Sequence, residues 1–270
     1  MATSTQSQIR GRLNHMLGSL LYWDSVQPDG SVVEPGPFRK LAVRMNQAMT
    51  EHGMAPPWVD PVKDVHEFWS ESVNVEPEAG NKPGDYAIKP PVAPRFMDAF
   101  WSPFVSKDDS ILELGCNAGP NLGGLWDLGY RNLAGMDINP VALGMLKERL
   151  PDLAESAQLI LGPFEEQLGK QPSNSFDVIF SATVLHHVHP TSERLFEEIA
   201  RVASKYIFVL EHESANNNYH FPRNYRRVFG HYGARQVASA LITPEIFPDV
   251  SEFYAGCTAR LLRMPESADS

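Results

Sequence analysis

The sequence has few of the residues that stabilise small secreted or zinc-stapled proteins. It contains two cysteines, Cys116 and Cys257, which is too few for a disulfide scaffold or a four-cysteine zinc site. It also lacks an apolar run near the ~20 residues that span a bilayer. The polar stretch Met1–Arg12 has no apolar core of the kind found in secretory signals. These absences predict a cytoplasmic protein that does not take a membrane as its partner.

Basic residues are also scarce. The chain has 23 Lys and Arg against 33 Asp and Glu, a formal net charge of −10 over 270 residues. A net negative surface repels phosphate backbones, so nucleic acid is not expected as a partner. Hydrophobic residues make up 43% of the chain and charged residues 21%, which is typical of a globular protein rather than a disordered one.

The residue pattern of the sequence changes near residue 105. Before it, prolines and aromatic residues are dense and strand patterns are missing; after it, short apolar runs alternate with helical patterns. We therefore expect a helical N-terminal extension over residues 1–105 and a second domain over residues 106–265. Apolar residues at helical spacing in the extension are expected to pack into the core. They form two sets, Ile9, Leu13, Leu17, Leu20 and Leu21, and Phe38, Leu41, Ala42, Met45 and Met49.

The second unit has the pattern of alternating strands and helices. Near-continuous apolar runs are typical of strands buried on both faces, and they fall at 110–115, 132–137, 157–162, 176–181 and 206–211. Helical segments separate these runs, which predicts an α/β fold with a doubly wound, mostly parallel, Rossmann-like sheet. Two last runs, 236–242 and 253–262, have no helix between them and are expected to close the sheet as an antiparallel edge.

The loop after the first run carries a nucleotide-binding pattern. Gly115 and Gly119 bracket a tight turn that lets a ligand approach the backbone, at the carboxyl end of a strand, where open α/β sheets bind their ligands. The spacing is G-x-x-x-G, with Asn117 where the dinucleotide motif has its middle glycine. Asp137 ends the second run, 18 residues after Gly119, at the position where a carboxylate accepts hydrogen bonds from ribose hydroxyls.

Three successive segments, ILELGCNAGPNL, GMDINPVAL and SFDVIFSATVLHHV, resemble the motifs of class I S-adenosylmethionine-dependent methyltransferases and are most similar to the small-molecule methyltransferase-11 group. The resemblance implies a seven-stranded sheet with its last strand antiparallel, and S-adenosyl-L-methionine as the cofactor. It also implies that residues 64–104 of the N-terminal extension form a lid over the pocket. Pro163 departs from the family, in which an aspartate often follows the preceding glycine. Cofactor contacts are expected from Glu113, Gly115, Cys116, Asn117, Gly119, Asp137, Ile138, Phe164, Glu165, Ser181 and Tyr86.

Histidines follow the fourth strand in the sequence LHHVH. The family places this segment beside the transferred methyl group, and histidine has the free pKa that best suits proton removal near neutral pH. His186 is therefore the first candidate base and His187 the second. A metal site is not expected, because adjacent residues on an extended chain point to opposite faces. The acceptor is expected to bind through the polar segment after the fifth strand, at Glu211, His212, Asn218, Tyr219, His220 and Arg223.

These features predict a methyltransferase that acts on an oxygen or nitrogen of a small polar metabolite, with a sugar or glycoside as one candidate. The partner is thus a small-molecule acceptor; the oligomeric state is open, and a dimer is compatible with the sequence. Two other hypotheses remain. One is a catalytically silent module that binds the same cofactor, favoured by Asn117 and Pro163. The other is an NAD-dependent oxidoreductase with the same layered architecture.

Overall fold

The fold is that of a computed structural model of the chain. The structure describes residues 36–55, 61–71, 83–84, 92–214, 220–243, 247 and 254–266. The predicted helical set between Ile9 and Leu21 lies outside the described residues. Within the described ranges, no helix combines the length and the apolar character that crossing a membrane requires.

Strands and helices alternate from residue 111 onward, at positions close to those predicted. The strands are β1 Ile111–Leu114, β2 Leu133–Asp137, β3 Gln158–Leu161, β4 Phe176–Ala182, β5 Ala203–Glu211, β6 Arg235–Leu241 and β7 Thr258–Arg263. The α-helices are α1 Pro37–Glu51, α2 Val62–Ser70, α3 Val92–Trp101, α4 Pro120–Asp127, α5 Pro140–Arg149, α6 Pro151–Ser156, α7 Phe164–Gln167, α8 Arg194–Val202 and α9 Tyr225–Gly230. Proline begins α4, α5 and α6, where its missing N–H costs no helical hydrogen bond.

The sheet has seven strands in the order β3-β2-β1-β4-β5-β7-β6. Strands β1 to β5 pair in parallel, and β7 runs antiparallel to both β5 and β6. The expected α/β fold with a mostly parallel sheet is confirmed. β7 lies inside the sheet, however, and β6 forms the edge. The strand order reverses between β1 and β4, which in such sheets opens a crevice for ligands.

The helix α3 is part of the hydrophobic core that the sheet builds. Its residues Met97 and Trp101 are fully buried, and the Trp101 ring packs edge-on against Phe180 of β4 and Phe208 of β5. The expectation that all of residues 64–104 form a lid is therefore wrong for α3. Large aromatic side chains gain most when they are buried against the strands, and this fixes α3 on the sheet rather than over the pocket.

The helix α1 turns its polar side inward, which reverses the prediction for its apolar stripe. Phe38 and Met45 are 82% and 59% exposed, whereas Gln47 and Thr50 are buried. Gln47 Nε2 donates a hydrogen bond to the carbonyl oxygen of Glu213 at 2.8 Å. Helical spacing predicted the helix and its apolar stripe correctly, but it did not indicate which side of the helix packs against the rest of the protein.

Candidate active site

A cleft opens at the carboxyl ends of β1, β2 and β4, where the strand order reverses. Its cavity volume is about 150 Å³. The loops after these strands and the helix α2 surround it. The residues that line it are Val65, His66, Trp69, Glu113, Gly115, Cys116, Asn117, Pro120, Asn121, Asp137, Ile138, Asn139, Pro163, Phe164, Glu165, Ala182, Thr183, Val184, His187, Val188, His189 and Tyr254.

The loop between β1 and α4 borders the cleft in a conformation that needs residues tolerant of positive φ. Gly115 and Gly119 have φ of 75° and 79°, and Asn117 has φ of 48°. Asparagine adopts this left-handed region more readily than most side chains, and Asn117 Oδ1 also accepts a hydrogen bond from Ala118 N at 2.7 Å. A Cβ on Gly115 would lie 2.5 Å from a methyl group of Val184. Asn117, at positive φ, therefore supports this loop conformation although the loop lacks the middle glycine of the dinucleotide motif.

Asp137 ends β2 with its carboxylate at the cleft. Oδ2 accepts a hydrogen bond from the backbone N–H of Asn117 at 2.8 Å, and Oδ1 accepts one from that of Asn139 at 2.8 Å. Burial raises the pKa of Asp137, and the backbone hydrogen bonds oppose this rise. The carboxylate is thereby held in one position and keeps acceptor capacity that ribose hydroxyls can use.

Glu113 is a buried carboxyl group on β1 that also borders the cleft. Oε1 accepts a hydrogen bond from Asn121 Nδ2 at 2.7 Å, whereas Oε2 has no hydrogen-bond partner among the described residues. Burial raises the pKa of Glu113 to about 8, with a smaller contribution from the charge of Asp137. A buried acceptor without a partner is costly. The environment therefore fits a ligand that brings a cationic donor, such as the α-ammonium group of an amino acid.

The helices α2 and α7 meet at the cleft. His66 Nε2 of α2 lies 3.2 Å from Glu165 Oε1 of α7. This hydrogen bond raises the pKa of His66. Burial acts to raise the pKa of Glu165, but hydrogen bonds, including the one to His66, outweigh it, and the pKa of Glu165 is lowered. Pro163 and Phe164 line the cleft in the same segment. An apolar ring and a hydrogen-bonded His–Glu pair thus occupy the place where the methyltransferases that the sequence resembles often have an aspartate.

The two candidate bases lie in a 3-10 turn, Leu185–His187, called here the histidine turn. Glu211, at the end of β5, stabilises this turn through hydrogen bonds. It is fully buried, accepts a hydrogen bond from the backbone N–H of Leu185 at 3.0 Å, and lies 2.5 Å from Nδ1 of His186. Burial lowers the pKa of His186. Because a carboxylate only accepts hydrogen bonds, the neutral ring carries its proton on Nδ1.

Three imidazole rings converge beside the turn. The ring centroids of His186 and His187 are 4.1 Å apart, and the His220 ring lies 4.7 Å from each of them. The expectation that His186 and His187 point to opposite faces is wrong, because the chain forms a 3-10 turn here rather than an extended strand. His187 is the one that lines the cleft, with its ring centroid 4.3 Å from that of Trp69.

The structure brings nine of the predicted site residues together at the cleft. These are Glu113, Gly115, Cys116, Asn117, Asp137, Ile138, Phe164, Glu165 and His187. Predicted residues that do not line it are Gly119, Ser181, His186, Glu211, His212, His220 and Arg223. Tyr86, Asn218 and Tyr219 lie outside the described residues.

The predicted ligand contacts of Arg223, Ser181 and Glu211 are corrected by these positions, because all three side chains are buried. Arg223 is fully buried, and its guanidinium donates hydrogen bonds to Glu193 Oε1 and to the carbonyl oxygen of Phe221. Ser181 Oγ donates to Glu211 Oε1 at 2.5 Å, inside the protein. Polar groups that are buried and paired in this way hold the segments that carry the site and do not reach a ligand in the cleft.

Several cleft residues are absent from the sequence prediction. His66 and Trp69 come from α2, and Tyr254 comes from the segment before β7. His66 and Trp69 fall inside the predicted lid segment, residues 64–104, but are not among the predicted site residues, whereas no motif connects Tyr254 with the strand-end loops. Thr183, in contrast, follows β4 directly and has a strained φ of 57°. The rule that sites lie at strand ends was enough to find it, and strain of this kind is common at functional sites.

Comparison with protein families supports the assignment of this cleft. Residues 112–206 match the family model described as a methyltransferase domain. The matched range contains Glu113, Asp137 and the histidine turn. No curated protein matches the chain.

Many solved structures share the fold. A SAM dependent methyltransferase from Aquifex aeolicus is 15% identical, with 68% of this chain and 100% of that chain covered and a TM-score of 0.51. Magnesium protoporphyrin IX methyltransferase from Synechocystis, solved with bound S-adenosylhomocysteine, is 12% identical, with coverage of 65% and 83% and a TM-score of 0.50. The cyclase SpnF is 14% identical, with coverage of 65% and 82% and a TM-score of 0.52. Residues 112–206 thus match a methyltransferase domain, the solved structures share the fold, and the acceptor atoms of Glu113 and Asp137 fit S-adenosyl-L-methionine.

Proposed function

We propose that the protein transfers a methyl group from S-adenosyl-L-methionine to an oxygen or nitrogen of a small polar metabolite, with a sugar or glycoside as one candidate acceptor. The observation that carries the proposal is the position of His187. Its imidazole lines the same cleft as the carboxyl groups of Glu113 and Asp137. A base at this place suits an acceptor that has a proton to lose.

Two carboxyl groups would hold the ends of the cofactor. Asp137 would accept hydrogen bonds from the ribose hydroxyls. Glu113 would receive the α-ammonium group, whose positive charge favours the carboxylate over the protonated form. Phe164 offers an apolar ring for the adenine. When bound, the cofactor supplies a methyl group on a sulfonium that is already activated for displacement.

The transfer step is an in-line displacement that the chain assists by positioning and by accepting a proton. With Glu113 and Asp137 holding the cofactor, the acceptor oxygen or nitrogen would gain the methyl group, and sulfur would keep the electron pair of the carbon–sulfur bond. The acceptor proton passes to His187. Holding the acceptor in line supplies much of the rate, because it replaces a bimolecular encounter. His186, paired with Glu211 and away from the cleft, positions the turn that carries His187.

The helix α2 would act as the lid that the sequence predicted. Val65 is 1% exposed and lines the cleft, and Trp69 of the same helix contacts the His187 ring. Apolar cover over the cofactor would keep water away from the reacting sulfonium. The lid in this proposal is α2 alone, since α3 belongs to the core.

Methyl-labelled S-adenosyl-L-methionine and a panel of sugars, glycosides, amines and hydroxy acids test this function. A labelled small-molecule product is expected. His187→Gln is expected to lower kcat by about 10²–10⁴ and to leave S-adenosylhomocysteine affinity unchanged. His231→Gln alters an exposed histidine outside the cleft and serves as the matched control.

Two results would contradict the proposal. Saturable S-adenosylhomocysteine binding without transfer to any acceptor, including components of a cell extract, would favour the silent cofactor-binding module. A His187→Gln enzyme with the kcat of the wild type would remove His187 from proton transfer.

A further inference from the structure

We propose that His186, His187 and His220 bind a single zinc ion beside the cleft. One ring nitrogen from each residue lies within 4.8 Å of the other two. In a tetrahedral site with Zn–N bonds of about 2.0–2.1 Å, ligand nitrogens lie roughly 3.4 Å apart. Small side-chain rotations therefore suffice to bring these three nitrogens to bonding distance.

The backbone itself brings the three residues together. His186 and His187 are adjacent in the histidine turn, and the backbone N–H of Phe221 donates a hydrogen bond to the carbonyl oxygen of His186 at 2.7 Å. That bond ties the segment of His220 to the turn. The chain path thus keeps the three residues close to one another.

His186 also has the outer partner that zinc-binding histidines usually have. Its Nδ1 lies 2.5 Å from Oε2 of Glu211, which is fully buried. A carboxylate behind an imidazole fixes its tautomer and leaves the lone pair of Nε2 for a metal. Arg223, a buried cation, forms an ion pair with Glu193. The charge of the surroundings is therefore compatible with a bound cation.

The donor set selects the ion. Imidazole nitrogen suits zinc and related transition metals, whereas magnesium and calcium prefer oxygen ligands. Three histidines leave a fourth position for water or a substrate oxygen, as in catalytic zinc sites. That position would be reached from the cleft, because His187 lines it. Zinc and a proton would compete for His187. In the zinc form His187 would be a ligand and not a base, and an acceptor hydroxyl at the fourth position would release its proton to solvent water.

Titration of the untagged, chelator-treated full chain with Zn²⁺ alone tests the site. We expect saturable uptake of one equivalent by calorimetry, and one equivalent of Co²⁺ is expected to give the intense visible absorption of a four-coordinate site. His187→Gln and His220→Gln should each weaken zinc affinity by more than the ~10–100-fold that loss of an outer-shell partner costs. His231→Gln should bind zinc as the wild type does.

A further variant keeps the test decisive if a glutamine variant unfolds. His220→Cys preserves a zinc ligand and is expected to retain one equivalent of bound metal. No saturable uptake by the wild type would overturn the proposal, and so would wild-type zinc affinity in folded His187→Gln and His220→Gln proteins. Neither cofactor nor acceptor is present, so failure here leaves the proposed methyl transfer standing, and failure of transfer leaves zinc binding standing.

Discussion

Three carboxyl groups are buried on the strands that carry the site, and each uses its oxygens differently. Glu211 directs its hydrogen bonds to the protein, where it fixes the histidine turn. Asp137 accepts backbone hydrogen bonds on both oxygens at the edge of the cleft. Glu113 leaves Oε2 without a partner among the described residues. Glu211 thus stabilises the protein internally, whereas Glu113 has an acceptor oxygen that a ligand can satisfy; Asp137 is intermediate.

Asp137→Ala should weaken S-adenosylhomocysteine binding. Loss of a charged acceptor for the ribose hydroxyls is expected to cost on the order of 2 kcal/mol, about 30-fold in affinity. Isothermal titration calorimetry measures the S-adenosylhomocysteine affinity of the variant and of the wild type. Asp127→Ala removes the same charge from the exposed end of α4 and should bind normally. Unchanged affinity in Asp137→Ala would exclude the ribose role.

Glu113 should couple cofactor binding to proton release. Its pKa of about 8 keeps it mostly protonated near neutral pH in the ligand-free protein. An α-ammonium group favours the carboxylate, so binding should release close to one proton near pH 7 and less as the pH rises above about 8. Calorimetry in buffers of different ionisation enthalpy counts these protons.

The variant Glu113→Gln provides the control for that measurement. It should abolish the proton release and weaken S-adenosylhomocysteine binding. A carboxyl group whose pKa is raised above its ordinary 4.5 contributes stability that is fully present below 4.5 and is lost as the pH rises through about 8. The ligand-free variant should therefore have a higher Tm than the wild type above pH 8. Proton release that persists in Glu113→Gln would assign it to another group.

At the scale of residues, the sequence predicted the strand-end groups and misplaced the histidines. Asp137 follows a short buried strand at a fixed distance from a glycine loop, so its position depends on local chain geometry. The order of His186 and His187 depends on a tight turn and on Glu211, which lies 25 residues further along the chain from His186. No local pattern indicates which of two adjacent rings will face a cleft.

At the scale of elements, the contact between α2 and α7 should make the lid sensitive to pH. The hydrogen bond to Glu165 raises the pKa of His66, so its contribution is fully present below about 6.5 and is lost as the pH rises through the raised value. The pKa of Glu165 is lowered, so its contribution is present above 4.5 and is lost as the pH falls through the lowered value. Protection of α2 should therefore be greatest between the two pKa values.

Hydrogen exchange, corrected for the intrinsic rate at each pH, measures this protection. His66→Gln should remove the decrease in α2 protection at high pH. His52→Gln changes an exposed histidine at the end of α1 and should keep that decrease. The same pH profile in His66→Gln and in the wild type would show that another group controls α2.

The two helices α1 and α3 show what amphipathic spacing does and does not predict. In both, the sequence placed a helix where the structure has one. The apolar side of α3 packs on the sheet, whereas the apolar side of α1 faces outward. The difference comes from distant partners, such as the carbonyl group of Glu213 that Gln47 binds, and a helical period contains no information about them.

At the scale of the whole molecule, the expected boundary at residue 105 does not separate two cores. Phe96, Met97 and Trp101 belong to the same cluster as residues of β1 and β4. A fragment that starts at residue 106 should therefore fail to unfold cooperatively in urea, because burial of several large side chains is lost. A fragment that starts at residue 92 retains α3 and should show a single transition. Cooperative unfolding of the fragment that starts at residue 106 would show that residue 105 is a domain boundary after all.

The topology was largely accessible to sequence reasoning, because buried parallel strands are apolar along their whole length. The place of β7 was not. Two strands without a crossover helix must pair antiparallel, but nothing in their residues shows which of them joins β5. The register of β7 against both neighbours decides this, and it is a property of the assembled sheet.

The insertion of β7 between β5 and β6 has a consequence for synthesis on the ribosome. β6 leaves the exit tunnel before β7, the strand with which it pairs in the sheet. The 22 residues that follow Leu241, up to Arg263, take about 1–4 s to translate at about 5–20 residues per second. During that interval the nascent chain presents an unpaired strand, and β5 offers a second open edge. A ribosome stalled in this window would display both to chaperones and to neighbouring chains.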